Sequence, residues 1–123
     1  MLVHKHLVVR AEVKNPPRDE GRIVEWIGDL IRDIGMKVLI GPFAKYLDVV
    51  GNRGLTVAAI IETSHVAMHV WDETDPGLLQ LDVYTCGPLD TSIIFRYLEQ
   101  FEPVKVEYKY LDREHGLTEV PLE

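Results

Sequence analysis

Residues 5–13 alternate, with Leu7, Val9, Ala11 and Val13 on one side and His6, Val8, Arg10 and Glu12 on the other, the period of a half-buried strand. Asn15-Pro16-Pro17 ends that strand. The period then changes. Ile23, Ile27, Leu30 and Ile34 recur at helical spacing between about Asp19 and Met36, while Arg22, Glu25, Asp29 and Arg32 supply a solvated face and Gly35 a natural stop. Short apolar runs follow, broken by Gly41-Pro42 and by Gly51-Asn52-Arg53-Gly54. They predict strands at about 37–40, 45–50 and 55–62, with a hairpin at the second break. Residues 66–72 and 78–86 predict a further pair of strands around Thr74-Asp75-Pro76-Gly77. Asp90-Thr91-Ser92 offers N-caps to a second helix that turns Ile93, Ile94, Tyr97, Leu98 and Phe101 inward and stops at Pro103. A last strand places Val104, Val106, Tyr108 and Tyr110 on one face and Lys105, Glu107 and Lys109 on the other. The tail from Leu111 is polar and is expected to be loose.

Strand, helix, hairpin-linked strands, helix, strand is the order of an α+β domain. Short links favour an antiparallel sheet with two helices packed on one face, a two-layer sandwich. One side of such a sheet stays uncovered, and a half-apolar uncovered face seeks a second copy, so a homodimer is expected.

A chain of 123 residues with 46% hydrophobic residues builds one domain, 1–123, with a real core. No apolar run approaches the roughly 18 residues that span a bilayer, and the start, Met1-Leu2-Val3-His4-Lys5, lacks the charged and apolar segments of a signal peptide. A cytoplasmic location and no membrane partner are expected. The formal charge of −7, with 13 basic residues scattered among 20 acidic ones, argues against nucleic acid and suits a cationic small ligand better. The single cysteine, Cys86, excludes an intramolecular disulfide and is either a small buried residue or a reactive thiol.

Candidate chemistry concentrates between Thr63 and Gly87, where a serine, two histidines, a tryptophan, acids and the cysteine lie within about two strands. A turn centred on Asp75 puts Ser64 opposite Cys86, and directly paired residues address the same face about 5 Å apart. His69 has the wrong parity for that face in an unbroken strand. It reaches the site only through a bulge, through the strand beginning after Ser64, or from a partner subunit. His65 and His69 have the spacing of a helical zinc site, but the context is β-rich and no third ligand stands at metal spacing, so no metal is expected. Gly51-Asn52-Arg53-Gly54 is a turn and not a phosphate loop.

Ser64-His65-Val66-Ala67-Met68-His69-Val70-Trp71-Asp72-Glu73, followed by Leu81-Asp82-Val83-Tyr84-Thr85-Cys86-Gly87, resembles the small prokaryotic S-adenosylmethionine decarboxylase proenzymes. The likeness runs thinly from His6 to about Glu107 and is strong over 62–87. It implies self-cleavage between Thr63 and Ser64. The serine attacks the preceding carbonyl, the ester eliminates, and the new N-terminus becomes a pyruvoyl group, the electron sink for decarboxylation in polyamine (spermidine) biosynthesis. By resemblance Ser64 is the pyruvoyl precursor, His69 the proton carrier of self-processing and Cys86 the acid that reprotonates the product. Glu73 matches the acid that holds the ribose hydroxyls, and Trp71 offers an aromatic face to a sulfonium or an adenine.

Two departures stand out. Thr63 occupies the place where the family usually has Glu, with Glu62 one place earlier, and Trp71-Asp72-Glu73 replaces Trp-Pro-Glu. They leave the substrate open between S-adenosylmethionine and a basic amino acid such as ornithine or arginine. An unprocessed, non-catalytic partner on the same fold is the remaining alternative.

Overall fold

A computed structural model describes residues 3–122; Met1, Leu2 and Glu123, the ends of the expected 1–123 domain, lie outside the described residues. The elements are β1 (Lys5–Val13), α1 (Glu20–Asp33), β2 (Val38–Leu47), β3 (Gly54–Ile61), β4 (Ser64–Trp71), β5 (Gly77–Thr85), α2 (Thr91–Leu98), a 3₁₀ turn Glu99–Phe101, and β6 (Pro103–Asp112). The strands form one sheet in the order β2-β3-β4-β5-β1-β6, and neighbours pair antiparallel throughout. The two-layer α+β sandwich expected from the pattern is the observed architecture.

Alternation decides which face is buried. Leu7, Val9, Ala11 and Val13 of β1, Leu55 and Val57 of β3, Val66 and Met68 of β4, and Leu79, Leu81 and Val83 of β5 are all buried. They form one core with Ile23, Ile27, Leu30 and Ile31 of α1 and Ile94 and Leu98 of α2. Each of the Val, Leu, Ile and Met side chains among them contributes about 1.5–3 kcal/mol by leaving water, so these positions hold the helices to the sheet. Asp19 caps α1 by accepting from Arg22 N at 2.9 Å, and Gly35, at φ +83°, ends it with its amide on Arg32 O.

Two expectations are corrected. Residues 38–47 make one strand rather than two short ones, because Gly41-Pro42 sits at a register irregularity between Ile40 and Phe43 on the sheet's edge, where a residue without an N–H removes no central ladder bond. Nor is the tail loose. Asp112 N donates to Thr118 O and Val120 N to Tyr110 O, both at 2.8 Å, and Val120 and Leu122 pack on the core. Those backbone bonds fasten the tail to the outer side of β6 at Tyr110–Asp112, which side-chain polarity does not reveal.

The other sheet face carries no helix. Val8, Phe43, Leu47 and Ile60 are exposed there, beside the polar row His6, Arg10, His65, His69 and Asp82. Between β2 and β3 the chain turns through Gly54 at φ +154°, where an added Cβ would fall 1.6 Å from Val70 O. Gly54→Ala is therefore expected to cost about 3–5 kcal/mol, read as a lower denaturant midpoint; an unchanged midpoint would show that β3 and β4 can part at that end without loss.

Candidate active site

Ile61 pairs with Ser64, so Glu62 and Thr63 are the two central residues of the β3–β4 turn. Thr63 takes φ +58° at the second of them, a position where Gly or Asn is usual. A left-handed backbone costs an L-residue about 1–2 kcal/mol, and Thr is β-branched, so the peptide carbonyl preceding Ser64 belongs to a strained residue. Ser64 opens β4 and is 6% exposed; its Oγ is buried without a hydrogen-bond partner. A buried hydroxyl left unpaired is an uncommitted nucleophile beside the carbonyl it would attack.

Cys86 follows β5, its carbonyl held by Val3 N at 3.2 Å. The β4–β5 register pairs His65 with Tyr84 and Val66 with Val83, one step away from the expected frame, so Ser64 does not stand opposite Cys86. The turn through 72–77, between the paired Trp71 and Leu78, is centred half a residue earlier than Asp75. The sulfur nevertheless reaches the site from beyond the strand end: Sγ lies 2.7 Å from Thr63 Oγ1 and 3.3 Å from Glu62 O. The Thr63 hydroxyl holds the thiol below its ordinary range, and Ser64 Oγ, close to the sulfur without meeting hydrogen-bond geometry, adds to the effect against a smaller push from burial.

His69 is elsewhere. β4 is unbroken, so Ser64 points to the core face and His69 to the open face, five residues or about 16 Å further along. There His69 Nδ1 lies 3.0 Å from Thr56 Oγ1, and its ring is 6.2 Å from that of Trp71. Trp71 Nε1 donates to Asn52 Oδ1 at 2.8 Å. These residues and Leu47 line a cavity of about 130 Å³. Glu73 closes the group, accepting from Arg53 N and Gly51 N at 3.1 Å each; these backbone amides, Arg53 first, hold its carboxyl below the usual range. The 51–54 turn is thus more than a connector, since it grips Glu73 and Trp71. Asp72 is turned away, towards Tyr46 Oη at 2.8 Å and Arg18 at 3.3 Å. The expected residues therefore form two groups at opposite ends of β4, Thr63, Ser64 and Cys86 at one and His69, Trp71 and Glu73 at the other. Thr56 and Asn52 were missed by sequence reasoning, although the β3–β4 hairpin places Thr56 directly opposite His69.

Between them, on the open face, Asp82 Oδ1 meets His6 Nε2 at 2.6 Å and His65 Nε2 at 3.1 Å. His65 thus joins a trio that could hold a metal ion, not His69, and its partners come from β1 and β5, which local spacing hides. Arg113 faces His6 Nδ1 at 3.3 Å and stacks on Tyr84 at 4.0 Å, closing the group on its β6 side. Burial pushes the Asp82 carboxyl up, but the hydrogen bonds and charges of His6 and His65 outweigh it and hold the group below its ordinary value.

The model of the S-adenosylmethionine decarboxylase family matches residues 5–114. The chain belongs to that family. An S-adenosylmethionine decarboxylase proenzyme of Archaeoglobus fulgidus is 30% identical over 118 residues, covering 92% of this chain and 99% of the relative. Its counterpart in Pyrobaculum arsenaticum is 42% identical over 64 residues, so the chain spans about half the length of that relative, 50% of each. The crystal structure of the adenosylmethionine decarboxylase of Aquifex aeolicus VF5 shares the fold at a TM-score of 0.71 and 18% identity, over 99% of this chain and 98% of that one. Among the described residues no helix is long and apolar enough to cross a membrane.

Proposed function

We propose that this chain is a pyruvoyl-dependent decarboxylase of S-adenosylmethionine, made by self-cleavage of a single-domain proenzyme between Thr63 and Ser64. The observation that carries the reading is the buried, unpartnered Ser64 Oγ next to the strained Thr63 and within reach of the Cys86 thiol. The prosthetic group would be formed from Ser64 itself, and the unpaired hydroxyl beside Cys86 fits that origin. When formed, it supplies a carbonyl that draws electrons as carbon dioxide leaves. Cys86, with its proton held less tightly than in an ordinary thiol, returns a proton to the product.

His69 takes part from a second copy. The 16 Å along β4 keeps it from the Ser64 of its own chain, whereas two copies meeting through the open faces would bring the His69 end of one β4 over the β3–β4 turn of its mate, where the Thr63–Ser64 peptide lies at the rim of the sheet. The exposed Val8, Phe43, Leu47 and Ile60 support such a homodimer. In that arrangement His69, steadied by Thr56, moves the proton of the attacking serine, Trp71 offers its face to the substrate's sulfonium or adenine, and Glu73 accepts from the ribose hydroxyls with the lone pairs its two backbone donors leave free.

Carbon dioxide release tests substrate and site together. S-adenosylmethionine is expected to react faster than ornithine, arginine or lysine, and Glu73→Gln to raise the KM about tenfold by weakening a charge-assisted hydrogen bond. Faster release from a free amino acid would move the assignment to a basic amino-acid decarboxylase on this fold.

A further inference from the structure

We infer that Thr63 is a positioning residue for Cys86, its hydroxyl turning between the Glu62 carbonyl and the Cys86 sulfur so that thiol and thiolate are each served. The inference rests on Cys86 being the proton donor of the proposed reaction and assigns it a partner. Three atoms make the case. Thr63 Oγ1 is 2.7 Å from Glu62 O and 2.7 Å from Cys86 Sγ, and Sγ is 3.3 Å from Glu62 O. A carbonyl only accepts, and a hydroxyl has one proton to give. With the thiol protonated, S–H donates to Glu62 O or Thr63 Oγ1 and the Thr63 proton points to the carbonyl. When the sulfur loses its proton, rotation about one bond brings the Thr63 O–H onto the thiolate. In the intact turn the sulfur then meets a matching partner in both of its protonation states.

The backbone gives an independent reason to look for a role. A β-branched residue at φ +58° is a poor choice for this turn, and glycine would fit it without strain. The direction in which the thiol is displaced agrees, with Thr63 the largest contributor.

The rate of iodoacetamide alkylation against pH, followed by intact mass, reads the sulfur directly because the chain has one cysteine. Measuring every variant in a full-length chain that also carries Ser64→Ala keeps the turn uncut, so the result does not depend on whether cleavage occurs. Thr63→Val is expected to move the alkylation midpoint up by about one pH unit, roughly a tenfold slower reaction below both midpoints, and Thr63→Ser to restore it. Thr63→Gly, which relieves the positive φ, is expected to fold at least as stably yet react as slowly as Thr63→Val, a split that a purely structural role does not produce. Coincident profiles for the parent, Thr63→Val and Thr63→Gly would overturn the inference and leave Thr63 a turn residue, with the decarboxylase reading untouched. Conversely, an uncut wild-type chain would sink that reading and not this measurement.

Discussion

Ser64→Ala is expected to yield one uncut chain of 14.1 kDa, where the wild type resolves into fragments 1–63 and 64–123. Alanine removes the hydroxyl that attacks the Thr63 carbonyl in the proposed cleavage, so the loss is complete and not partial. It also removes a buried hydroxyl that makes no hydrogen bond of good geometry, and deleting such a group costs little stability or adds some. The variant should therefore unfold at the same temperature as the uncut wild type or slightly above it, which separates lost chemistry from lost folding. Intact mass after prolonged incubation decides the matter; a wild-type chain that also stays whole would favour the non-catalytic partner.

The second large effect concerns His69. His69→Ala alone and Ser64→Ala alone are each expected to remain uncut. Co-expressed with distinguishable tags, however, they form mixed dimers in which one site unites the Ser64 of the His69→Ala chain with the His69 of its mate. That chain, and not the other, should be cut, in up to roughly half of its copies when expression is equal. A His69→Ala chain that stays intact in the mixture would reject a site shared between copies. Cleavage of that variant on its own would remove His69 from processing.

What the sequence disclosed followed from period. The alternation at 5–13 and the spacing of Ile23, Ile27 and Leu30 placed the core, because burial on one face is what period encodes. The parity of Ser64 and His69 was legible in the same way, and it already forced the two onto opposite faces. Register was not: the frame of β4 against β5 depends on where a six-residue turn folds, and a shift by one moved Cys86 from opposite Ser64 to beyond the strand end, where its sulfur still meets Thr63. The fastening of the tail escaped because its bonds are between backbone atoms, and Asp82 with His6 and His65 escaped because three strands meet there. Thr63 looked like a mere substitution in a motif, since a positive φ is a property of the folded turn and not of the residue's name.

The strand order has a consequence for the cut protein. Fragment 1–63 contributes β1, β2 and β3 and fragment 64–123 contributes β4, β5 and β6, yet β1 lies between β5 and β6. The two pieces are interlaced like clasped fingers, so neither can leave without taking the sheet apart. Before cutting, the six strands of a protomer belong to one covalent chain, and rebuilding its sheet is a unimolecular event. Afterwards rebuilding even one protomer requires two fragments to find each other, so recovery would depend on concentration and dilution would oppose it. Maturation would thus trade the ability to refold for the active group.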